Sequence, residues 1–121
     1  MHTVLVVDDN AAIRMIISDF LTLNYEHVQI KEAVDGTQGM ALIDEELPDL
    51  ILLDAEMPNM NGFEVVQVLK ASKRTQNIPI IAISSGAANN PVVSGLRSMS
   101  DASLPKPFTP DELINVVNGV C

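Results

Sequence analysis

The sequence predicts an α/β fold: a five-stranded parallel sheet of strand order 2-1-3-4-5, with five helices on its two faces in a doubly wound three-layer sandwich. Three observations predict it. Short aliphatic runs alternate five times with stretches whose apolar residues recur at helical spacing. The runs Thr3–Val7 and Leu50–Leu53 are apolar almost throughout, as strands covered on both faces are. The connections are short, with no repeat, linker or low-complexity segment, and right-handed crossovers then leave few arrangements. The chosen order sets the first and third strands side by side, with a switch point between their C-terminal ends.

The elements follow in chain order. Thr3–Val7 is a central strand ending at Asp8-Asp9-Asn10, where Asp9 or Asn10 caps a helix. Ile13, Ile16, Ile17, Phe20 and Leu21 form one apolar stripe on that helix, and Arg14 and Asp19 fall off it. After a polar break at Tyr25-Glu26-His27, Val28–Ala33 alternates as a strand nearer a sheet edge does. Asp35-Gly36 is a turn; Met40, Ile43 and Leu47 mark the second helix, and Pro48 stops it. The third strand, Leu50–Asp54, delivers a carboxylate to its own C-terminal end. The third helix starts near Gly62, with Phe63, Val66 and Leu69 inward and Lys70, Lys73 and Arg74 at its negative end.

Pro79–Ser84 is the fourth strand and Ser85–Asn90 a loop of small residues. Pro91 opens a fourth helix carrying Val92, Val93, Leu96 and Met99, weakened by Ser94, Gly95, Ser98 and Ser100. A very short fifth strand, Ala102–Leu104, precedes Pro105-Lys106-Pro107-Phe108. Thr109-Pro110-Asp111-Glu112 then reads as a capping box opening a fifth helix through Leu113, Val116, Val117 and Val120.

At 121 residues the expectation is one domain over 1–121, with no output domain. Hydrophobic residues make up 47% of the chain, which excludes a disordered chain. A net charge of −9 argues against direct nucleic-acid binding, which needs clustered Lys and Arg. The one cysteine, Cys121, permits no internal disulfide, and no signal pattern or membrane-length apolar run occurs. A cytoplasmic location without membrane insertion is the expectation.

The predicted topology gathers four strand ends on one rim: Asp8 and Asp9 from the first, Asp54 from the third, Ser84 from the fourth, and Lys106 just beyond the fifth. Like charges about 4 Å apart cost roughly 4 kcal/mol per pair at an effective dielectric of 20. A hard divalent cation relieves that cost, and Mg²⁺ often uses only one or two carboxylates plus a phosphate oxygen. Lys106 adds a compact positive charge. A metal, a cation and a hydroxyl around one carboxylate make an anion-receiving site, whose natural chemistry is attack of Asp54 on a phosphoryl group.

Asp8-Asp9, Asp54 with Met57-Pro58 and Asn61-Gly62, Ser84-Ser85, and Lys106-Pro107-Phe108 together resemble the receiver domain of two-component response regulators. The resemblance runs the whole chain and implies a flavodoxin-like fold. It implies that Asp54 is the phosphoacceptor, loaded from a phosphohistidine on a histidine kinase or histidine phosphotransfer protein. It implies that Asp9 ligates Mg²⁺ (or Mn²⁺) directly and Asp8 mainly through water, with Asp54 and the backbone carbonyl of Glu56 completing the protein ligands. Lys106 would pair with a phosphoryl oxygen, next to a cis bond to Pro107, and Ser84 would be the switch hydroxyl. The expected protein is a chemotaxis-type or phosphorelay single-domain switch. It would be a monomer or a phosphorylation-dependent dimer acting on an unknown downstream protein. It would be no conventional enzyme, but would catalyse its own phosphoryl transfer and slow aspartyl-phosphate hydrolysis. The chain departs from the family at Ser103, where an aromatic is usual, at Met99-Ser100, where Gly-Ala is common, and at Pro105 and Asn61.

Blander readings stand beside these. Ser84 satisfies nearby backbone, Lys106 is a solvated lysine, and Glu56 faces solvent, or else Glu56 tunes the phosphoryl lifetime. His2, His27 and Cys121 are structural or incidental; Met15 and Met40 fill the core, and Met57 and Met60 lie in loops. The main alternative function is a phosphorylation-independent receiver-like scaffold. An aspartate-nucleophile phosphatase lacks its second Asp two residues on. A nucleotide-binding protein lacks a Gly-rich loop after the first strand.

Overall fold

The computed structural model describes residues 1–85 and 90–121. Its elements are β1 (Thr3–Val7), α1 (Ala11–Asn24), β2 (Gln29–Ala33), α2 (Gly36–Glu45), β3 (Leu50–Asp54), α3 (Gly62–Ala71), β4 (Ile80–Ser84), α4 (Pro91–Met99), β5 (Ala102–Pro105) and α5 (Pro110–Val120). All four strand pairings are parallel and the order is β2-β1-β3-β4-β5, as the sequence predicts. The expected loop over 85–90 falls mostly on 86–89, outside the described residues.

Strand alternation sorts the core into two layers. Leu5, Val7, Ile51, Leu53 and Ala82 meet Ile43 of α2, Val65, Val66 and Leu69 of α3, and Val93 and Leu96 of α4. Val4, Val6, Leu52, Ile81, Ile83 and Leu104 meet Ile17 and Leu21 of α1 and Leu113 and Val117 of α5. Both faces of β1, β3 and β4 are thus dry, which is why these runs show no polar alternation. Burying one such Leu or Ile stabilises by about 1.5–3 kcal/mol, so these three strands anchor the rim residues that follow them.

Each helix is started by a side chain the sequence supplies. Asn10 accepts from the Ala12 and Ile13 N–H groups, Asp35 from Gln38, Asn61 from Glu64, Asn90 from Val92 and Val93, and Thr109 from Glu112. The Asn61 and Thr109 caps are full capping boxes with Glu64 and Glu112. Asn10, not Asp9, is the first cap, so Asp9 is free for other work.

Some sequence expectations shift. Met15 is 59% exposed and Ile16 is also exposed, so the α1 stripe narrows to Ile13, Ile17, Phe20 and Leu21. Leu47 is exposed and lies beyond α2, and Lys73 and Arg74 lie beyond α3. A period-3.6 pattern identifies candidates for the buried face, but the partner surface sets its width. Met57 and Met60 sit in a loop and also pack on the α2–α4 side of the core.

Candidate functional site

The rim at the C-terminal ends of β1, β3 and β4 is the candidate site. Each chain segment leaves its strand and is immediately pinned. Asp8 donates its N–H to the Ala33 carbonyl, and its Oδ1 accepts from the Asn10 N–H at 2.8 Å, which folds the β1–α1 turn around it. Beyond Asp54, Ala55 donates to the Ile83 carbonyl, and Gly62 returns to donate to the Ala55 carbonyl at 2.9 Å. A Cβ at Gly62 would stand 2.2 Å from the Asp54 carbonyl oxygen. The Asn61-Gly62 pair therefore has two duties: Asn61 caps α3, and Gly62 lets the loop close against the Asp54 backbone. Asn59 takes a left-handed φ of 68° within this loop, a conformation Asn tolerates better than most residues.

Lys106 arrives from the sheet edge. Its N–H donates to the Ser84 carbonyl at 2.7 Å, one step past the Ser84–Pro105 pairing. In a parallel ladder the residue opposite Ser84 does not supply that bond, so Pro105 costs β5 nothing on the β4 side. The Lys106–Pro107 bond is cis.

The side chains then converge. Carboxylate oxygens of Asp8, Asp9 and Asp54 lie within 4.8 Å of one another. Lys106 Nζ lies 2.8 Å from Asp8 Oδ2 and donates to Asp54 Oδ1 at 3.3 Å. Asp8 is fully buried, Asp54 is 5% exposed and Ser84 is 3% exposed, whereas Asp9 opens to solvent. Burial, then the charge of Asp8, pushes the Asp54 carboxyl from its ordinary 3.8 up to about 6, against the opposing pull of Lys106. Burial works against the Lys106 ammonium, but the nearby Asp8 and Asp54 outweigh it and raise its pKa.

The donor set suits a hard divalent cation. Asp8 Oδ2 is buried and has no aligned hydrogen-bond donor, although it is ion-paired with Lys106. One lysine against three carboxylates leaves uncompensated negative charge, and all the donors are oxygens, which favours Mg²⁺ or Mn²⁺ over softer metals.

Residues 4–118 match the response regulator receiver domain. The chain belongs to that family. Among curated relatives of this receiver domain, the DNA-binding dual master transcriptional regulator RpaA of Synechocystis sp. is 35% identical over 116 residues, which are 94% of this chain and 46% of that protein. The phosphate regulon transcriptional regulatory protein PhoB of Pseudomonas aeruginosa is 37% identical over 112 residues, 93% of this chain and 48% of that protein. The receiver chain thus spans about half the length of these relatives. Its fold matches the chemotaxis protein CheY4 of Vibrio cholerae with a TM-score of 0.87 at 27% identity, covering 100% of this chain and 99% of that one. It also matches the receiver domain of the sensor histidine kinase PA1611 of Pseudomonas aeruginosa, which carries a magnesium ion coordinated in its active site cleft. The TM-score there is 0.86 at 25% identity, over 98% of this chain and 96% of that one.

All five side chains expected at the rim of the receiver domain, Asp8, Asp9, Asp54, Ser84 and Lys106, come from elements that end there. The Glu56 side chain accepts from Asn90 Nδ2 at 2.6 Å, tying the β3–α3 loop to the α4 cap. Sequence reasoning missed two contributors, Asn90 and Arg14. Arg14 donates to the Asp8 backbone carbonyl at 2.7 Å and pairs with Glu32 at 3.1 Å. A signal for Arg14 was present: a cation in the opening residues of a helix meets the positive end of the dipole and needs an acidic partner.

Proposed function

We propose that the chain is a phosphoacceptor switch of a two-component phosphorelay, taking a phosphoryl group onto Asp54 from a phosphohistidine on a histidine kinase or histidine phosphotransfer protein. The observation that carries this reading is the placement of Lys106 between Asp54 Oδ1 and Asp8 Oδ2, with a third carboxylate beside them. Asp9 would ligate Mg²⁺ directly, Asp8 mainly through water, and Asp54 and the Glu56 backbone carbonyl would complete the protein ligands. The bound cation would supply charge neutralisation for the incoming phosphoryl oxygens.

The chain's own residues do the rest. A free carboxyl held near a pKa of 6 is mostly ionised at neutral pH, so Asp54 is an available nucleophile. One Asp54 oxygen forms the new O–P bond while the donor imidazole leaves with the P–N bonding pair. Lys106 shifts from Asp54 to the phosphoryl oxygens, exchanging one anionic partner for another. Ser84, buried at the end of β4, offers a hydroxyl to the same oxygens. Downstream, the modified rim changes affinity for a protein partner. Glu56, two residues past Asp54 and bonded to Asn90, would tune the phosphoryl lifetime by contacting the attacking water.

A second reading is a phosphorylation-independent scaffold. It is favoured by Ser103, which is half-buried and by strand alternation faces the α4 side, where a large side chain is usual in the family. Incubation with a small acyl phosphate, followed by intact mass, decides between the two. A gain of one phosphoryl group with Mg²⁺ and none with EDTA supports the switch; no gain under either condition supports the scaffold.

A further inference from the structure

Arg14 has no place in the chemistry just described, yet its guanidinium is spent on the acidic rim. Its side chain is only 14% exposed. Nη1 donates to the backbone carbonyl of Asp8 at 2.7 Å, and Nε donates to Glu32 Oε1 at 3.1 Å. Glu32 stands on β2, which pairs with β1 directly before the acids, Val6 opposite Glu32 and Val7 opposite Ala33. Asp8 is therefore held from several sides. Its carbonyl is held by Arg14, its N–H by Ala33, and its carboxylate Oδ1 by the Asn10 N–H.

We infer that Arg14 is a positioning residue for the metal site: its fork fixes the peptide plane between Asp8 and Asp9, and so the directions in which both carboxylates project. This inference rests on the proposal that the three acids hold Mg²⁺. The Asp8 carbonyl belongs to the same peptide unit as the Asp9 N–H, and that unit is planar, so anchoring its oxygen removes the rotation that would swing Asp9 relative to Asp8. Asp9 is exposed, and among the described residues no hydrogen bond or ion pair of its side chain holds it. A metal site of hard oxygen donors needs its carboxylates prearranged, and partners outside the ligand set supply that order. Only a guanidinium reaches two acceptors on different elements with a rigid planar fork; a lysine ammonium is a single point on a flexible stem.

The sign of the effect separates this role from plain electrostatics. Arg14 is a cation close to a site that receives a cation. If it acted through its charge alone, removing it would strengthen Mg²⁺ binding. If it merely clipped α1 to β2, removing it would lower stability and leave Mg²⁺ affinity unchanged. Positioning alone makes Mg²⁺ affinity fall.

The test is isothermal titration of Mg²⁺ into metal-free wild-type, Arg14→Ala, Arg14→Lys and Asp9→Ala proteins at one ionic strength, with urea midpoints in EDTA to verify folding. The expected result is Mg²⁺ affinity roughly tenfold weaker in Arg14→Ala, the loss typical of removing an outer partner of a metal ligand. Arg14→Lys, which keeps the charge without the fork, should lose nearly as much. Unchanged or tighter binding in Arg14→Ala, or full recovery in Arg14→Lys, overturns the inference while leaving the metal site in place. Absence of Mg²⁺ binding in wild type, or full binding in Asp9→Ala, overturns the site assignment and the inference with it. Should Arg14→Ala not fold, Glu32→Gln, which loosens the same fork from the other side, is expected to weaken Mg²⁺ binding, and wild-type affinity in it overturns the inference.

Discussion

At the scale of single residues, the site is one of conflict between burial and charge. Asp8 and Asp54 are buried like core residues but carry carboxylates, and Lys106 lies between them. Asp9 completes the oxygen set from the solvent side. Asp9→Ala should weaken Mg²⁺ binding roughly tenfold or more, since removing a ligand does at least what removing its supporting partner does. Titration calorimetry reads this directly, and an unchanged affinity would remove Asp9 from the ligand set. Asp8, Asp9, Asp54, Ser84 and Lys106 were legible because each closes an apolar run or sits beside a proline, where the chain pattern changes abruptly. Asn90 was not, and for Arg14 the helix-dipole cue asks for an acidic partner without saying which one. Their importance lies in which atoms they reach across 18 and 34 residues of sequence, to Glu32 and Glu56. No local pattern encodes such reach.

At the scale of elements, α4 is the helix whose sequence is weakest and whose place depends on contacts from outside it. Its serines and Gly95 lower its intrinsic helicity. Gly95 is nevertheless suited to its place, because a Cβ there would stand 2.7 Å from the Phe63 ring of α3. The Asn90 cap, bonded to Glu56, fixes the other end. Gly95→Ala gains helix propensity of about 1 kcal/mol but overpacks the joint by about 1–3 kcal/mol, so a net loss of about 1 kcal/mol is expected. With Phe63→Ala already present, the same change should stabilise instead. Urea unfolding of the four proteins of this cycle checks the reversal, and a stabilising Gly95→Ala in the wild-type background would contradict the close α3–α4 contact. Gly119 is the internal control: nothing lies within 4 Å of its would-be Cβ, so Gly119→Ala should be neutral or slightly stabilising.

At the scale of the whole molecule, the site is a place where stability is given up for function. The folded state holds Asp54 near pKa 6, against an ordinary 3.8. Between about pH 4 and pH 6 the native protein therefore keeps a proton that the unfolded chain has lost, and metal-free stability falls as pH rises through that window. The shift of roughly two pH units corresponds to about 3 kcal/mol. Asp35 and Asp49 are shifted the other way, Asp35 by the Gln38 N–H and Asp49 by the Thr3 and His2 N–H groups, so their contribution is lost only as pH falls below the ordinary carboxylate range. Urea unfolding in EDTA at pH 4.5 and pH 7 should show the drop in wild type and not in Asp54→Asn; equal drops in both would place the titration elsewhere. Mg²⁺ should restore stability at pH 7, and its affinity should decline below about pH 6, where protons compete for Asp54. The fold itself was readable almost completely, since alternation of buried strands with amphipathic helices and right-handed crossovers leave few windings. What the pattern did not contain was how far each helix face extends. That depends on the partner surface, and it left Met15, Ile16 and Leu47 in solvent.

The central claim is that Asp54 itself receives the phosphoryl group. Its most direct test is chemical trapping: treatment with a small acyl phosphate and Mg²⁺, reduction with borohydride, digestion, and mass spectrometry of the peptide spanning residues 50–62. An aspartyl phosphate is reduced to homoserine, so the account predicts that conversion at position 54, dependent on Mg²⁺ and absent in Asp54→Asn. Conversion at Asp8 or Asp9 instead, or none at any carboxylate while the protein binds Mg²⁺, would contradict it.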